Sequence, residues 1–100
     1  MAVVELSIVP IGVESTSLSS YVAQALKVLK QSSLKHELTA MGTIISGDLD
    51  EVLKVARQMH ESCFSAGAQR VLTQIRIDDR RDKIGSPEQK IQSVMGKLKE

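Results

Sequence analysis

Apolar and polar residues alternate over residues 3–11, with Val4, Leu6 and Ile8 on one side and Glu5 and Ser7 on the other. Successive side chains of a strand point to opposite faces, so this pattern predicts a half-buried strand, ended by Pro10 and Gly12. A Ser/Thr loop follows at residues 13–17. Leu18, Val22, Ala25, Leu26 and Leu29 then recur at helical spacing, predicting a helix over about residues 18–32, capped by the Ser17 hydroxyl and stopped at Ser32-Ser33. Residues 36–41 read as a second strand and residues 43–46 as a third. Gly42 between them fits a tight reversal or a bulge, with an unbroken strand through it as the alternative. Asp48 and Glu51 form a capping-box-like pair that opens the next helix. Its apolar stripe is Leu49, Val52, Leu53, Ala56, Met59, His60, Cys63 and Phe64, and Gly67 stops it. The segment 68–83 begins as a strand with Val71, Thr73, Ile75 and Ile77 on one face and Leu72, Gln74, Arg76 and Asp78 on the other. It ends as a dense cluster of charges. Ser86, Pro87 and Gln89 mark a helix start, and Ile91, Val94, Met95 and Leu98 make residues 87–98 a short amphipathic helix.

The order β-α-β-β-α-β-α reads as an α+β chain of the ferredoxin-like, split βαβ type with an added C-terminal helix. Its sheet would be antiparallel with both main helices on one face, since right-handed crossovers leave little topological choice. Residues 1–100 are expected to form a single domain, because no linker or low-complexity tract interrupts them. One face of the last strand would be covered and the other left for a ligand or a second subunit.

Composition narrows the function. Of 100 residues, 42% are hydrophobic and 25% charged, with a net charge of +1. So weak a field gives no pull toward nucleic acid or an anionic membrane, and neither partner is expected. Tyr21 and Phe64 are the sole aromatics and both fall on predicted helices. That removes the aromatic sheet surface on which RNA-binding domains of this shape stack bases. The lone Cys63 rules out an internal disulfide framework and a multi-cysteine zinc site. No leader or long apolar run appears, so the expected location is cytoplasmic. No cofactor is called for: Gly12 and Gly42 are isolated rather than part of a phosphate-binding loop.

Four segments in order resemble a known family: Ser7-Ile-Val-Pro-Ile-Gly12, Ser15-Thr-Ser-Leu-Ser19, Leu38-Thr-Ala-Met-Gly-Thr-Ile-Ile45 and Arg76-Ile-Asp-Asp-Arg-Arg-Asp-Lys83. Together they make the chain similar to the small thiamine-binding-like family of ferredoxin-like proteins. The resemblance implies a βαββαβ fold with an appended helix. It also implies dimers that associate into tetramers through their sheets. Its implied ligand is thiamine or the hydroxymethyl-pyrimidine part of thiamine. On the family pattern, Pro10, Ser15, Thr39, Met41, Gly42, Thr43 and Arg76 would border the ligand site.

The residues supply chemistry of their own. Hydroxyls such as those of Thr39, Thr43 and Ser7 can match both donors and acceptors on an aminopyrimidine edge, though threonine is also an ordinary strand residue. Mixed charges at Arg76, Asp78, Asp79, Arg80, Arg81, Asp82 and Lys83 suit subunit contacts or a solvated loop. Forked arginine hydrogen bonds could instead hold a phosphate or sulfate. His60 borders the apolar stripe and reads as structural, Cys63 as packing, and Ser15, Thr16 and Ser17 as caps and turn formers. No paired carboxylates, metal cluster or activated nucleophile can be argued from spacing. The expectation is therefore a non-catalytic small-molecule binding protein, with a structural or regulatory homo-oligomer as the alternative.

Overall fold

Strand β1 (Ala2–Pro10) lies between two antiparallel neighbours, β3 (Gly42–Gly47) and β4 (Val71–Asp79). Strand β2 (Lys35–Thr39) pairs with β3 at the outer edge, giving the order β2-β3-β1-β4. This computed structural model describes residues 1–13 and 19–82, together with Ile91, Val94 and Met95. The expected cap at Ser17, the site candidate Ser15 and most of the predicted last helix lie outside them. Ile91, Val94 and Met95 are helical and exposed. Helices α1 (Ser19–Gln31) and α2 (Leu49–Ser65) supply the crossovers β1-α1-β2 and β3-α2-β4. The architecture is the ferredoxin-like one expected. No helix among the described residues is long and apolar enough to cross a membrane.

The register shows why alternation mattered. Val4 pairs with Ile45 and Ile77, and Leu6 with Thr43 and Ile75, so these side chains share the face that meets the helices. Val4, Ile45, Leu29 and Val52 have no exposed surface, and Leu6, Met59 and Cys63 almost none. Each such side chain contributes roughly 1.5–3 kcal/mol through burial. Residues one step out of phase, Glu5 and Ser7 with Gln74 and Arg76, stand on the opposite, open face.

Helix α2 carries its own stop and start signals. The Asp48 carboxylate accepts from the Glu51 amide at 3.4 Å. At the far end Gly67 sits at φ 113°, where Ala68 N–H reaches Cys63 C=O and Gly67 N–H reaches Phe64 C=O, both at 3.0 Å. That pair of bonds is the Schellman ending, which favours glycine at the turning residue. One predicted stripe member, Phe64, is exposed; it packs edge-on against His60 at 5.3 Å. His60 is structural: its Nδ1 lies 2.6 Å from the Thr73 hydroxyl and ties α2 to β4.

Two expectations need correction. The reversal lies at Ala40-Met41, not at Gly42, which is instead the first residue of β3 and pairs with Thr39. Gly42 is required there by close approach: a Cβ would stand 2.7 Å from the Leu6 carbonyl oxygen. The covered face of β4 is covered only in part. Thr73 lies beneath α2, but Ile75 and Ile77 keep 42% and 47% of their surface, because β4 is an edge strand and α2 meets it at His60.

Gly42→Ala is expected to lower stability by about 1–3 kcal/mol, since a backbone oxygen cannot swing aside as a side chain can. Urea unfolding followed by circular dichroism would show a lower midpoint at unchanged slope. An unchanged midpoint would mean that the hairpin yields freely at this contact.

Candidate functional site

The turn Ala40-Met41 stands beside the second half of β1, and the first turns of α1 face it across a gap. Between them lies a cavity of about 290 Å³. Leu6, Thr43, Ala25, Met59 and Cys63, all buried, form its floor. Met41, Leu38 and Val22, exposed by 82%, 58% and 40%, mark its mouth. Tyr21 and Leu26 of α1 complete the wall. Ligand sites are mostly apolar hollows with a few placed polar groups, and this one is at the small end of that range. A larger groove of about 760 Å³ lies across the outer sides of α1 and α2, but Lys27, Lys54, Arg57 and Glu61 border it, as on any solvated helix surface.

The structure brings four of the seven candidates together: Thr39, Met41, Gly42 and Thr43 all line the cavity. Their roles differ. The Thr39 hydroxyl donates to the Gly42 carbonyl at 2.9 Å and accepts from the Met41 amide at 3.3 Å. It thereby closes the turn, and little of its hydrogen-bonding capacity is left for a ligand. Thr43 is 7% exposed and is the most buried of the hydroxyl-bearing residues in the wall. Gly42 contributes backbone and clearance, and Met41 an exposed thioether at the entrance.

Pro10 and Arg76 lie elsewhere. Pro10 is buried two residues beyond Ile8 and pairs with Val71. Arg76 projects from the open face, where its guanidinium is 3.7 Å from the Glu5 carboxylate. The pair is well exposed and contributes little to stability. The charge cluster neutralises itself locally. Arg80 forks onto Asp82 at 2.7 and 3.2 Å, and Arg81 places two nitrogens on one oxygen of Asp79 at 3.1 and 3.0 Å. Its hydrogen bond to Asp82 holds the Arg80 guanidinium even more firmly protonated than usual. Among the described residues, no group of His, Cys, Asp and Glu could hold a metal ion.

Tyr21, Val22, Leu38, Met59 and Cys63 were not among the residues that the sequence singled out for a site. A signal existed for one part: Leu38 and Met41 are large apolar residues at the tip of a hairpin whose other residues are largely polar. The rest look like ordinary core positions. Cys63 lines the cavity but is not activated, because burial pushes its thiol above the ordinary value of 9.0. It remains a neutral, polarisable wall atom.

Comparison with known proteins places the chain among relatives. A family model described as thiamine-binding protein matches residues 4–95. The UPF0045 protein YqgV of Bacillus subtilis is 45% identical over 98 residues, covering 94% of each chain. A UPF0045 protein of Methanothermobacter thermautotrophicus is 42% identical, covering 98% of this chain and all of its own. The crystal structure of the hypothetical protein MJ1052 of Methanocaldococcus jannaschii superposes with a TM-score of 0.84 at 39% identity. It covers 94% of this chain and 95% of its own.

The Cys63 thiol gives a testable pH dependence. Its pKa is raised in the folded state, so both states keep the proton below the ordinary thiol value and stability is full there. As pH rises further the unfolded chain ionises first, and stability falls until the folded thiol ionises too. Between about pH 8 and pH 10, the wild-type protein is expected to lose more stability to urea than Cys63→Ala does. Equal losses would show that the thiol is not held in its neutral form.

Proposed function

This chain belongs to the thiamine-binding protein family, and we propose from that premise that it is a non-catalytic binding protein for thiamine or its hydroxymethyl-pyrimidine moiety. The observation that carries the reading is the apolar cavity at the hairpin tip, with the Thr43 hydroxyl set into its floor. A flat ring entering past Met41 and Leu38 would lie against Tyr21 and the Met59 sulfur, contacts that favour aromatic rings. Its polar edge would meet Thr43 and the strand backbone. A binding role needs no more than this, and burial pushes the pKa of the Cys63 thiol in the wall upward.

The same reading places the protein in a homo-oligomer, a dimer or tetramer. Ile75 and Ile77 on β4 are exposed by 42% and 47%, and Ile91, Val94 and Met95 by more than half. Apolar residues so arranged favour a protein partner. Pro10 and Arg76 would join the ligand site only through such a partner. An assembly protein with no thiamine ligand is the alternative, and it draws on the same exposed residues.

Calorimetric titration of thiamine and of hydroxymethyl-pyrimidine, on a sample whose mass is checked by light scattering, tests both parts. Saturable binding is expected, and Thr43→Val is expected to weaken it by about 1–3 kcal/mol through loss of a buried hydrogen-bonding partner. Unchanged affinity in Thr43→Val would remove that residue from the site. Absence of binding by a well-assembled oligomer would leave the assembly role.

A further inference from the structure

Every residue from Leu38 to Thr43 borders the cavity, so one short stretch of chain forms its hairpin wall. The two ends of that stretch are held very differently. On the β3 side, Gly42 stands so close to β1 that a Cβ would lie 2.7 Å from the Leu6 carbonyl oxygen, and Thr43 pairs with Leu6. On the β2 side, β3 is the only strand that holds the chain in the sheet. The turn between them is a poor link. Two-residue connections between antiparallel strands favour positive φ at the first or at both central residues, because that backbone twist matches the strands. Ala40 and Met41 both have negative φ, for Ser33 is the one described residue other than glycine with a positive value. The backbone of this turn therefore works against the twist of the strands it joins.

A side chain supplies what the backbone lacks. The Thr39 hydroxyl, partly buried, donates to the Gly42 carbonyl and accepts from the Met41 amide. One oxygen thereby ties the last residue of β2 to the turn and to Gly42, the residue fixed against β1. We infer that Thr39 is a positioning residue for the ligand site: its hydroxyl does not meet the ligand but holds the hairpin wall in the shape that receives it. The inference rests on the binding role proposed above and deepens it. Without the hydroxyl the turn samples other shapes, and the apparent affinity falls with the fraction of molecules that keep the receptive one. The loss falls on binding rather than on folding. The buried side chains Val4, Leu6 and Ile45 lie on β1 and β3, and none of them belongs to the turn.

Two variants test this. Thr39→Val keeps the branched shape and removes both bonds, whereas Thr39→Ser keeps the hydroxyl. Thiamine and hydroxymethyl-pyrimidine are titrated calorimetrically into the wild-type protein and each variant. The methyl resonances of Ala40 and Met41 are followed by nuclear magnetic resonance in the ligand-free proteins. Thr39→Val is expected to bind about tenfold more weakly. Its Ala40 and Met41 signals should be broadened or split before any ligand is added, with those of the core residues Leu29 and Val52 unmoved. Thr39→Ser is expected to bind within about twofold of wild type, with single sharp signals. Unchanged affinity in Thr39→Val would overturn the inference and leave the binding role standing. Weaker binding with unmoved Ala40 and Met41 signals would also overturn it, since the hydroxyl would then be touching the ligand itself. Changes that spread to Leu29 and Val52 would overturn it by making Thr39 an ordinary stabilising residue. No binding of either compound by the wild-type protein would overturn both readings.

Discussion

Strand β1 is the constraint on which the molecule depends. It is paired along both edges, and its alternate residues Ala2, Val4 and Leu6 are buried against the helices. Because side chains alternate with period two, a slip of one residue would bring Glu5 into the core and turn Leu6 out to water. The register of β3 and β4 therefore follows from which side of β1 can be dry. The close contact of Gly42 with the Leu6 carbonyl then fixes where the hairpin stands.

The cavity lies between the start of α1 and the β2-β3 turn. Helix α1 packs on the sheet through Ala25 and Leu29, while β2 and β3 carry their turn beyond that contact. Val22 and Tyr21, one turn nearer the start of α1, border the open space. The hollow is lined almost wholly by residues that would serve as core elsewhere. Among the described residues it offers shape and a few polar groups rather than a cluster that could hold a metal ion.

Much of the fold could be read from the chain. Alternation in β1 and β4, the Asp48 cap and the Gly67 stop each encode a local rule, and the helix-strand order leaves few ways to connect them. The site was less legible. Thr43 and Gly42 could be singled out, but the turn was displaced because Gly42 serves a close approach rather than a reversal, and composition alone does not separate those uses. Periodicity also names a face without saying what covers it, so Ile75 and Ile77 looked like core and are half exposed. Met59 and Cys63 carry no mark that distinguishes a cavity wall from a packed interior. Arg76 was expected at the site on the family pattern, yet the register places it on the opposite side of the sheet.

The hairpin that forms one wall also contains the least anchored strand. β2 pairs along one edge alone, and four of its five residues are exposed. Segments with few buried contacts open most readily, independently of the rest of the domain. Anything seated against Leu38 and Thr43 would damp that opening, and part of its intrinsic affinity would go into ordering the hairpin. Occupancy would then be legible as slowed amide exchange along β2, transmitted through β3 to the centre of the sheet: a binding event expressed as local stiffness rather than as a change of shape.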